Sequence, residues 1–158
     1  MLAVFLLAAG AHAQSPATDI GTERTLGVGG IFGTATGGTG RVYLGGRQVS
    51  LDFAFGAANG AGVYDAVFGH ASVHRQFPIA TADGVTVPWR LGVGAFLSTQ
   101  EAEVDGGTAL GVRVPLGIDL DLHRAPVQFS FEVAPLSLSV TPAVRYGLDA
   151  SVAVRVYL

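Results

Sequence analysis

The side chains best suited to chemistry are the imidazole of His70 and the hydroxyl of Ser72, with a second imidazole at His74. Alternate residues share one face of a β-strand, so a strand here would point all three side chains the same way. A Ser beside a His, with a carboxylate to orient the His, is the minimum for nucleophilic acyl transfer. The competing interpretation is favoured: the three are polar side chains that fill the interior of a barrel. We therefore predict no catalytic residue, and His70 with Ser72 is the alternative.

Two further groups of polar residues give weaker indications of a ligand site. His70 and His74 have no carboxylate near them in sequence, so they make a poor metal site. Three acidic residues lie in a hydrophilic segment without the ligand spacing of a calcium loop, and we expect them to form an exposed acidic loop: Glu101, Glu103 and Asp105. The sequence predicts no metal and no cofactor.

Composition excludes several classes of protein. The chain has 158 residues, of which 49% are hydrophobic and 13% charged, with a net charge of −3 and no Cys. Disulfides and thiolate metal sites are therefore excluded. The acidic balance without a basic cluster argues against nucleic-acid binding. The apolar residues form no continuous run of about 20 after the N-terminus, so transmembrane helices are not expected.

The N-terminus carries the pattern of a secretory signal. An apolar run at 2–9 is followed by the small-x-small site Ala11-His12-Ala13. This arrangement predicts a signal peptide over residues 1–13, cleaved after Ala13, and one mature domain over residues 14–158.

The apolar residues beyond the signal recur with a period of two. Segment 109–122 is the clearest case, because its even positions are Leu, Val or Ile throughout and its odd positions are small, charged or proline. That alternation indicates a β-strand with one apolar face. Similar alternation predicts eight strands, at 25–33, 41–44, 50–57, 63–77, 85–98, 109–122, 127–133 and 148–158.

The connections predict which end of the sheet is which. Short turns at 45–48, 79–84 and 123–126 alternate with longer loops at 33–40, 56–62, 98–107 and 137–147. Short periplasmic turns and longer exterior loops are typical of outer-membrane barrels. Trp89 lies near the turn end of its strand, where an interfacial aromatic belt is expected.

The other face of the strands carries few charges, and those balance. Four Arg and four acidic residues share it: Arg41, Arg90, Arg113 and Arg155 with Asp52, Asp119, Glu132 and Asp149. The lumen of an eight-stranded barrel is just wide enough for side chains to fill, so these residues are predicted to form a lumen charge network. The exterior of a soluble barrel would be about a quarter charged, which favours lipid around the apolar face. A soluble lipocalin-like ligand-binding barrel is the alternative.

Three segments resemble an uncharacterised family of small eight-stranded bacterial outer-membrane β-barrel proteins with OmpA/OmpX-like architecture. They are LGVRVPLGIDL at 110–120, FEVAP at 131–135 and the ending GLDASVAVRVYL at 147–158. The chain differs at Leu158, where relatives carry an aromatic residue. The resemblance implies an antiparallel up-and-down transmembrane barrel in the outer membrane of a Gram-negative bacterium. It implies no reaction.

The prediction is therefore a non-enzymatic, monomeric outer-membrane barrel with a structural or surface-contact role. Its expected partners are outer-membrane lipid, lipopolysaccharide and, during biogenesis, the barrel-assembly machinery. The enzymatic alternative is a lipid acyl hydrolase, since His70-Ala71-Ser72 distantly resembles the His-x-Ser of outer-membrane lipid A deacylases. The Asn that follows the Ser in those enzymes is Val73 here.

Overall fold

The chain folds into eight antiparallel strands that close into a barrel. The structure is a computed structural model that describes residues 24–44, 48–58, 67–100, 107–139 and 145–158. The strands are β1 (Leu26–Gly33), β2 (Ala35–Leu44), β3 (Val49–Ala58), β4 (Val67–Ala82), β5 (Val85–Gln100), β6 (Gly107–Leu122), β7 (Val127–Ser139) and β8 (Arg145–Tyr157). The predicted all-β fold and the eight-stranded antiparallel barrel are confirmed.

Each strand pairs with its neighbour in sequence, and β8 closes the barrel by pairing with β1. Closure places Gly29 opposite Arg155, and Leu158 N–H donates to the Leu26 carbonyl beyond the last ladder pair. A closed ladder satisfies the backbone hydrogen bonds of both terminal strands, which would otherwise form edges. None of the described residues belongs to a helix long and apolar enough to cross a membrane.

The strands differ in length, and this gives the barrel an uneven rim. β4, β5 and β6 have 16 residues each, whereas β1 has 8 and β2 and β3 have 10. Arg75 of β4 pairs with Val49, the first residue of β3, and the Gln76 N–H reaches the Gln48 carbonyl at 2.7 Å. Beyond that point β4 pairs only with β5. The β4–β5 hairpin therefore projects past the β2–β3 turn.

The predicted loop at 33–40 is wrong. β1 ends at Gly33 and β2 already begins at Ala35, so only Thr34 separates them. Gly33 has φ 143°, a left-handed conformation that favours glycine and suits a connection this tight. Before its predicted start at Arg41, β2 contains Gly37, Gly38 and Gly40, which carry no side chains to show an alternation.

Other boundaries also differ from prediction, and the loop expected at 98–107 is shorter because β5 reaches Gln100 and β6 begins at Gly107. The turn expected at 79–84 contains only Asp83 and Gly84, because β4 continues through Ala82. A register shift between Pro78 and Ala80 interrupts the alternation of inward and outward side chains. The sequence pattern therefore does not show where β4 ends. The loop expected at 137–147 is shorter, since β7 reaches Ser139 and β8 begins at Arg145. The predicted signal peptide at 1–13 lies outside the described residues.

The polarity of the barrel is reversed relative to a soluble protein. Large apolar side chains point outward: Val93 is 62% exposed and Phe55 is 65% exposed. The fully buried side chains are mostly polar or charged, with Arg41 and Asp119 both 0% exposed. The pleat of the strands produces this pattern, since successive residues lie on opposite faces of the sheet.

Candidate functional site

The lumen contains all eight charged residues that the sequence assigned to it. None of them is more than 6% exposed: Arg41, Asp52, Arg90, Arg113, Asp119, Glu132, Asp149 and Arg155. They come from β2, β3, β5, β6, β7 and β8, so the barrel brings together residues far apart in the chain. Four guanidinium groups face four carboxylates, which removes most of the cost of burying each charge.

Arg41 is the centre of this charge network. Its Nε donates to Asp52 Oδ1 at 2.8 Å, and its Nη2 donates to Asp52 Oδ2 at 2.6 Å. Its Nη1 donates to Asp119 Oδ2 at 2.6 Å and to Gln128 Oε1 at 2.9 Å. The Arg41–Asp52 contact is bidentate, the geometry for which the planar guanidinium is best suited.

Two further arginines extend the network toward the loop end of the barrel. Arg90 donates to Asp119 and, through Nη2, to Glu132 Oε2 at 2.7 Å. Arg113 Nη2 donates to Glu132 Oε1 at 2.9 Å and to Asp149 Oδ2 at 2.6 Å. Glu132 therefore links the two arginines. Of the four acidic residues predicted for the lumen, Arg113 contacts Glu132 and Asp149.

Arg155 is bound mainly by neutral oxygens. Its Nη1 donates to Ser130 Oγ at 2.8 Å and its Nη2 to Thr39 Oγ1 at 2.9 Å. Asp52 Oδ2 lies 3.7 Å from Nη2, within ion-pair distance. Arg155 thus joins the network at its edge, and hydroxyls satisfy most of its donors.

Gln128 connects the network, although it is not among the eight predicted lumen charges. Its Oε1 accepts from Arg41 and from the Tyr157 hydroxyl at 2.8 Å. Its Nε2 donates to Asp121 Oδ1 at 2.7 Å and to the Tyr43 hydroxyl at 3.1 Å. The alternation of β7 already placed Gln128 on the polar face, so the strand pattern contained the signal.

Arg24 closes the turn end of the lumen. It precedes β1, and its Nη1 donates to Asp121 Oδ1 at 3.1 Å across the barrel. Its Nη2 donates to the carbonyls of Leu122 and Ala125. Its guanidinium also lies 5.2 Å from the centroid of the Tyr157 ring. No strand pattern covers Arg24, so its role had no signal in the sequence.

Glycines make room for the large side chains of the lumen. Gly92 lies opposite His74 and Gly94 opposite Ser72, while Gly117 lies against the guanidinium of Arg90. A Cβ on Gly117 would lie 2.7 Å from the Arg90 Cζ, too close for any real contact. A small cavity lined in part by His70 and Glu132 has room for about one water molecule. Within the described part of the chain, the lumen is packed.

The two candidate catalytic residues are not joined to each other. His70 Nδ1 lies 2.7 Å from Arg113 Nη1, which makes the ring an acceptor for a guanidinium. Ser72 is 1% exposed, and its Oγ has no hydrogen-bond partner among the described residues. A nucleophile needs a base within hydrogen-bond reach and access for substrate. This arrangement supplies Ser72 with neither.

His74 forms the closest approach to a metal site in the described residues. Its Nδ1 lies 3.6 Å from Asp52 Oδ1, and its Nε2 lies 3.5 Å from Glu132 Oε2. Both carboxylates already accept hydrogen bonds from arginines. One ligand atom from each of Asp52, His74 and Glu132 lies within 4.8 Å of the other two. A cation here would face several guanidinium groups, so the cluster is poorly suited to hold one.

The remaining predicted site residues lie elsewhere. The acidic residues Glu101, Glu103 and Asp105 fall outside the described residues. Trp89 lies on the outward face of β5, stacked on Phe77.

Comparison with known proteins gives no match: no family model, no curated protein and no solved structure is similar to this chain. The resemblance to small outer-membrane barrels therefore stays a prediction.

Proposed function

We propose that this protein is an integral outer-membrane β-barrel of a Gram-negative bacterium, with a structural or surface-contact role and no catalytic activity. One observation carries the proposal: a closed eight-stranded barrel has its large apolar side chains outside and its charges inside. Lipid is the solvent that matches such an exterior, and a closed barrel is the only β structure that satisfies its backbone within lipid.

The apolar exterior of the barrel favours lipid rather than water as its surroundings. Monomeric soluble proteins rarely expose apolar patches larger than a few hundred Å². Here exposed apolar residues occur on all eight strands, from Val28 and Phe32 on β1 to Val152 and Val156 on β8. A lipocalin-like cup requires the opposite distribution, with an apolar cavity inside and polar side chains outside.

The packed lumen supports the absence of catalysis and of an open pore. Its arginines and carboxylates pair with one another, and its cavity accommodates about one water molecule. Ser72 Oγ has no base within hydrogen-bond reach in the described part of the chain, and His70 is bonded to Arg113. The contacts of this protein then come from its outside: outer-membrane lipid and lipopolysaccharide, and the barrel-assembly machinery during biogenesis. The sheet closes within one chain, which is consistent with a monomer.

Fractionation of expressing cells tests the location. We expect the protein in the outer-membrane pellet, resistant to extraction by high salt, while a soluble periplasmic marker stays in the supernatant. Recovery of the folded protein with that marker would refute the proposal. Deletion of the gene should leave the acyl chains of the outer-membrane lipids unchanged. A reproducible change in acylation, restored by the wild-type chain but not by Ser72→Ala, would establish an enzyme instead.

Thiol labelling tests the orientation, because the natural chain has no Cys. Arg124 lies in the turn between β6 and β7, and Arg124→Cys should react with an impermeant reagent only after the outer membrane is opened. Glu103→Cys, in the predicted exterior loop, should react on intact cells. The reverse pattern would show that the turns face outward.

A further inference from the structure

Arg75 is a charged residue on the outward face of the barrel, and it is the only one among the described strand side chains. It is exposed, while its strand neighbours His74 and Gln76 are buried in the lumen. Across the sheet it pairs with Val49 and Leu91. No carboxylate lies on this face in the described strands, so Arg75 has no acidic partner there. A guanidinium on an apolar surface is stabilised by an anion, and the described strands offer Arg75 none on this face.

Arg75 belongs to a small aromatic cluster on β4 and β5. Its guanidinium lies 5.4 Å from the centroid of the Phe77 ring. Phe77 stacks on Trp89, with ring centroids 4.6 Å apart and an interplanar angle of 20°. We call Arg75, Phe77 and Trp89 the Arg75 platform. The Phe77 ring, supported by Trp89, holds the Arg75 guanidinium in place and leaves its N–H donors free to bind an anion.

The platform lies toward the turn side of the apolar exterior, and apolar residues such as Ile79, 58% exposed, continue past it on the projecting β4–β5 hairpin. Arg75 is level with the first residue of β3, directly after the β2–β3 turn. On β5, apolar residues continue outward from Trp89 to Leu97. The strands of such barrels tilt by about 35–45° from the barrel axis. This distance of about 26 Å along the strand therefore corresponds to roughly 20 Å along the axis. The apolar band of such barrels is about 25 Å tall, so the platform lies near headgroup level.

We propose that the Arg75 platform binds the phosphate of a glycerophospholipid headgroup in the leaflet on the turn side of the barrel. The guanidinium offers paired donors that match phosphate oxygens, and Phe77 and Trp89 lie at the depth that aromatic residues favour. An anionic headgroup is favoured over a zwitterionic one, because a zwitterionic headgroup carries its own cationic amine, which offsets the phosphate charge that attracts Arg75. The inference rests on the proposed membrane location and adds the lipid chemistry and the depth.

Trp89 makes the proposal measurable, because it is the only Trp in the chain. The mature protein is refolded into vesicles of phosphatidylcholine and phosphatidylglycerol, with acyl chains brominated near the headgroup in one lipid at a time. Bromine quenches Trp fluorescence only on close approach, so the two quenching values give the relative occupancy of each lipid at Trp89. We expect about a five-fold preference for phosphatidylglycerol, the effect of one basic residue near an anionic surface.

The variants separate the platform from general charge attraction. Arg75→Gln should abolish the preference, and Arg75→Lys should retain part of it, because Lys keeps the charge without the paired donors. Arg124→Gln removes a positive charge from the same end of the barrel and should change nothing. Equal quenching by the two lipids in the wild-type protein, or an unchanged preference in Arg75→Gln, would overturn the inference while the barrel remains membrane-inserted. Absence of quenching by either lipid would instead refute the membrane location, and the inference with it.

Discussion

The two faces of β6 differ sharply although they alternate along one strand. Val112 and Ile118 are 46% and 49% exposed on the outside, while Arg113 and Asp119 are 1% and 0% exposed in the lumen. One step along the chain moves a side chain from a surface without polar partners into a network of ion pairs. Opposite substitutions should therefore destabilise the protein on the two faces. In the lumen the damaging change is removal of a charge, and on the exterior it is addition of one.

The largest expected effect is the loss of a lumen charge. Among the described residues, Arg113 is the only hydrogen-bond donor to Asp149 and one of two arginines on Glu132, and Arg113→Leu removes it. Removing one partner of a buried ion pair costs about 3–5 kcal/mol. We expect a loss of that order in the free energy of unfolding, measured with denaturant in detergent micelles.

A second change distinguishes a lost ion pair from lost packing. Asp149→Asn neutralises the unpaired carboxylate and should recover part of the stability of Arg113→Leu. Asp119→Asn is the matched control, because Asp119 accepts from Arg41 and Arg90 instead. Equal recovery from both, or recovery from neither, would show that Asp149 does not depend on Arg113.

The next largest effect is a charge added to the outside. Val93 lies midway between Trp89 and Leu97 and is 62% exposed, so Val93→Arg places a charge near the centre of the apolar band. Such substitutions cost about 2–4 kcal/mol at the bilayer midplane and about 0–1 kcal/mol near the interfaces. Thr108→Arg, at the loop end of β6, is the control. If the two variants unfold from bilayers with equal stability, the exterior is not surrounded by lipid.

The smallest expected effect is that of alanine substitutions at two glycines, one in the lumen and one on the exterior. In Gly94→Ala the new methyl group would clash with Ser72 and the backbone of β4, so we expect a loss of about 1–3 kcal/mol. In Gly30→Ala the nearest atom is a ring carbon of Phe32 at 3.4 Å, an ordinary contact, so stability should change by less than about 1 kcal/mol. Comparable losses in the two variants would contradict the close packing of the lumen at Gly94.

The sequence predicts a residue's face better than it predicts its partners. Alternation is sufficient to place Arg41, Asp119 and Gln128 in the lumen. It cannot show that they touch, because Arg41 is 78 positions from Asp119 and 87 from Gln128. Those contacts depend on the pairing register of several strands, and turns and bulges set that register.

The predicted strand boundaries are wrong where the side chains show no alternation between apolar and polar residues. The first half of β2 is rich in glycine, so its alternation is invisible in the sequence. At Pro78 a bulge breaks the alternation of side chains, so the sequence wrongly predicts a turn at the end of β4. Arg24 lies outside any strand, so only the folded barrel shows that it closes the lumen.

The most direct test of the reversed polarity is the solvent that the purified mature protein needs to fold. We expect a β-rich circular dichroism spectrum and a gel mobility that changes on heating only when detergent micelles or lipid vesicles are present. In plain buffer the chain should stay unfolded or aggregate, since its exterior would expose apolar side chains on every strand. A monodisperse, folded protein in buffer without detergent would contradict the account.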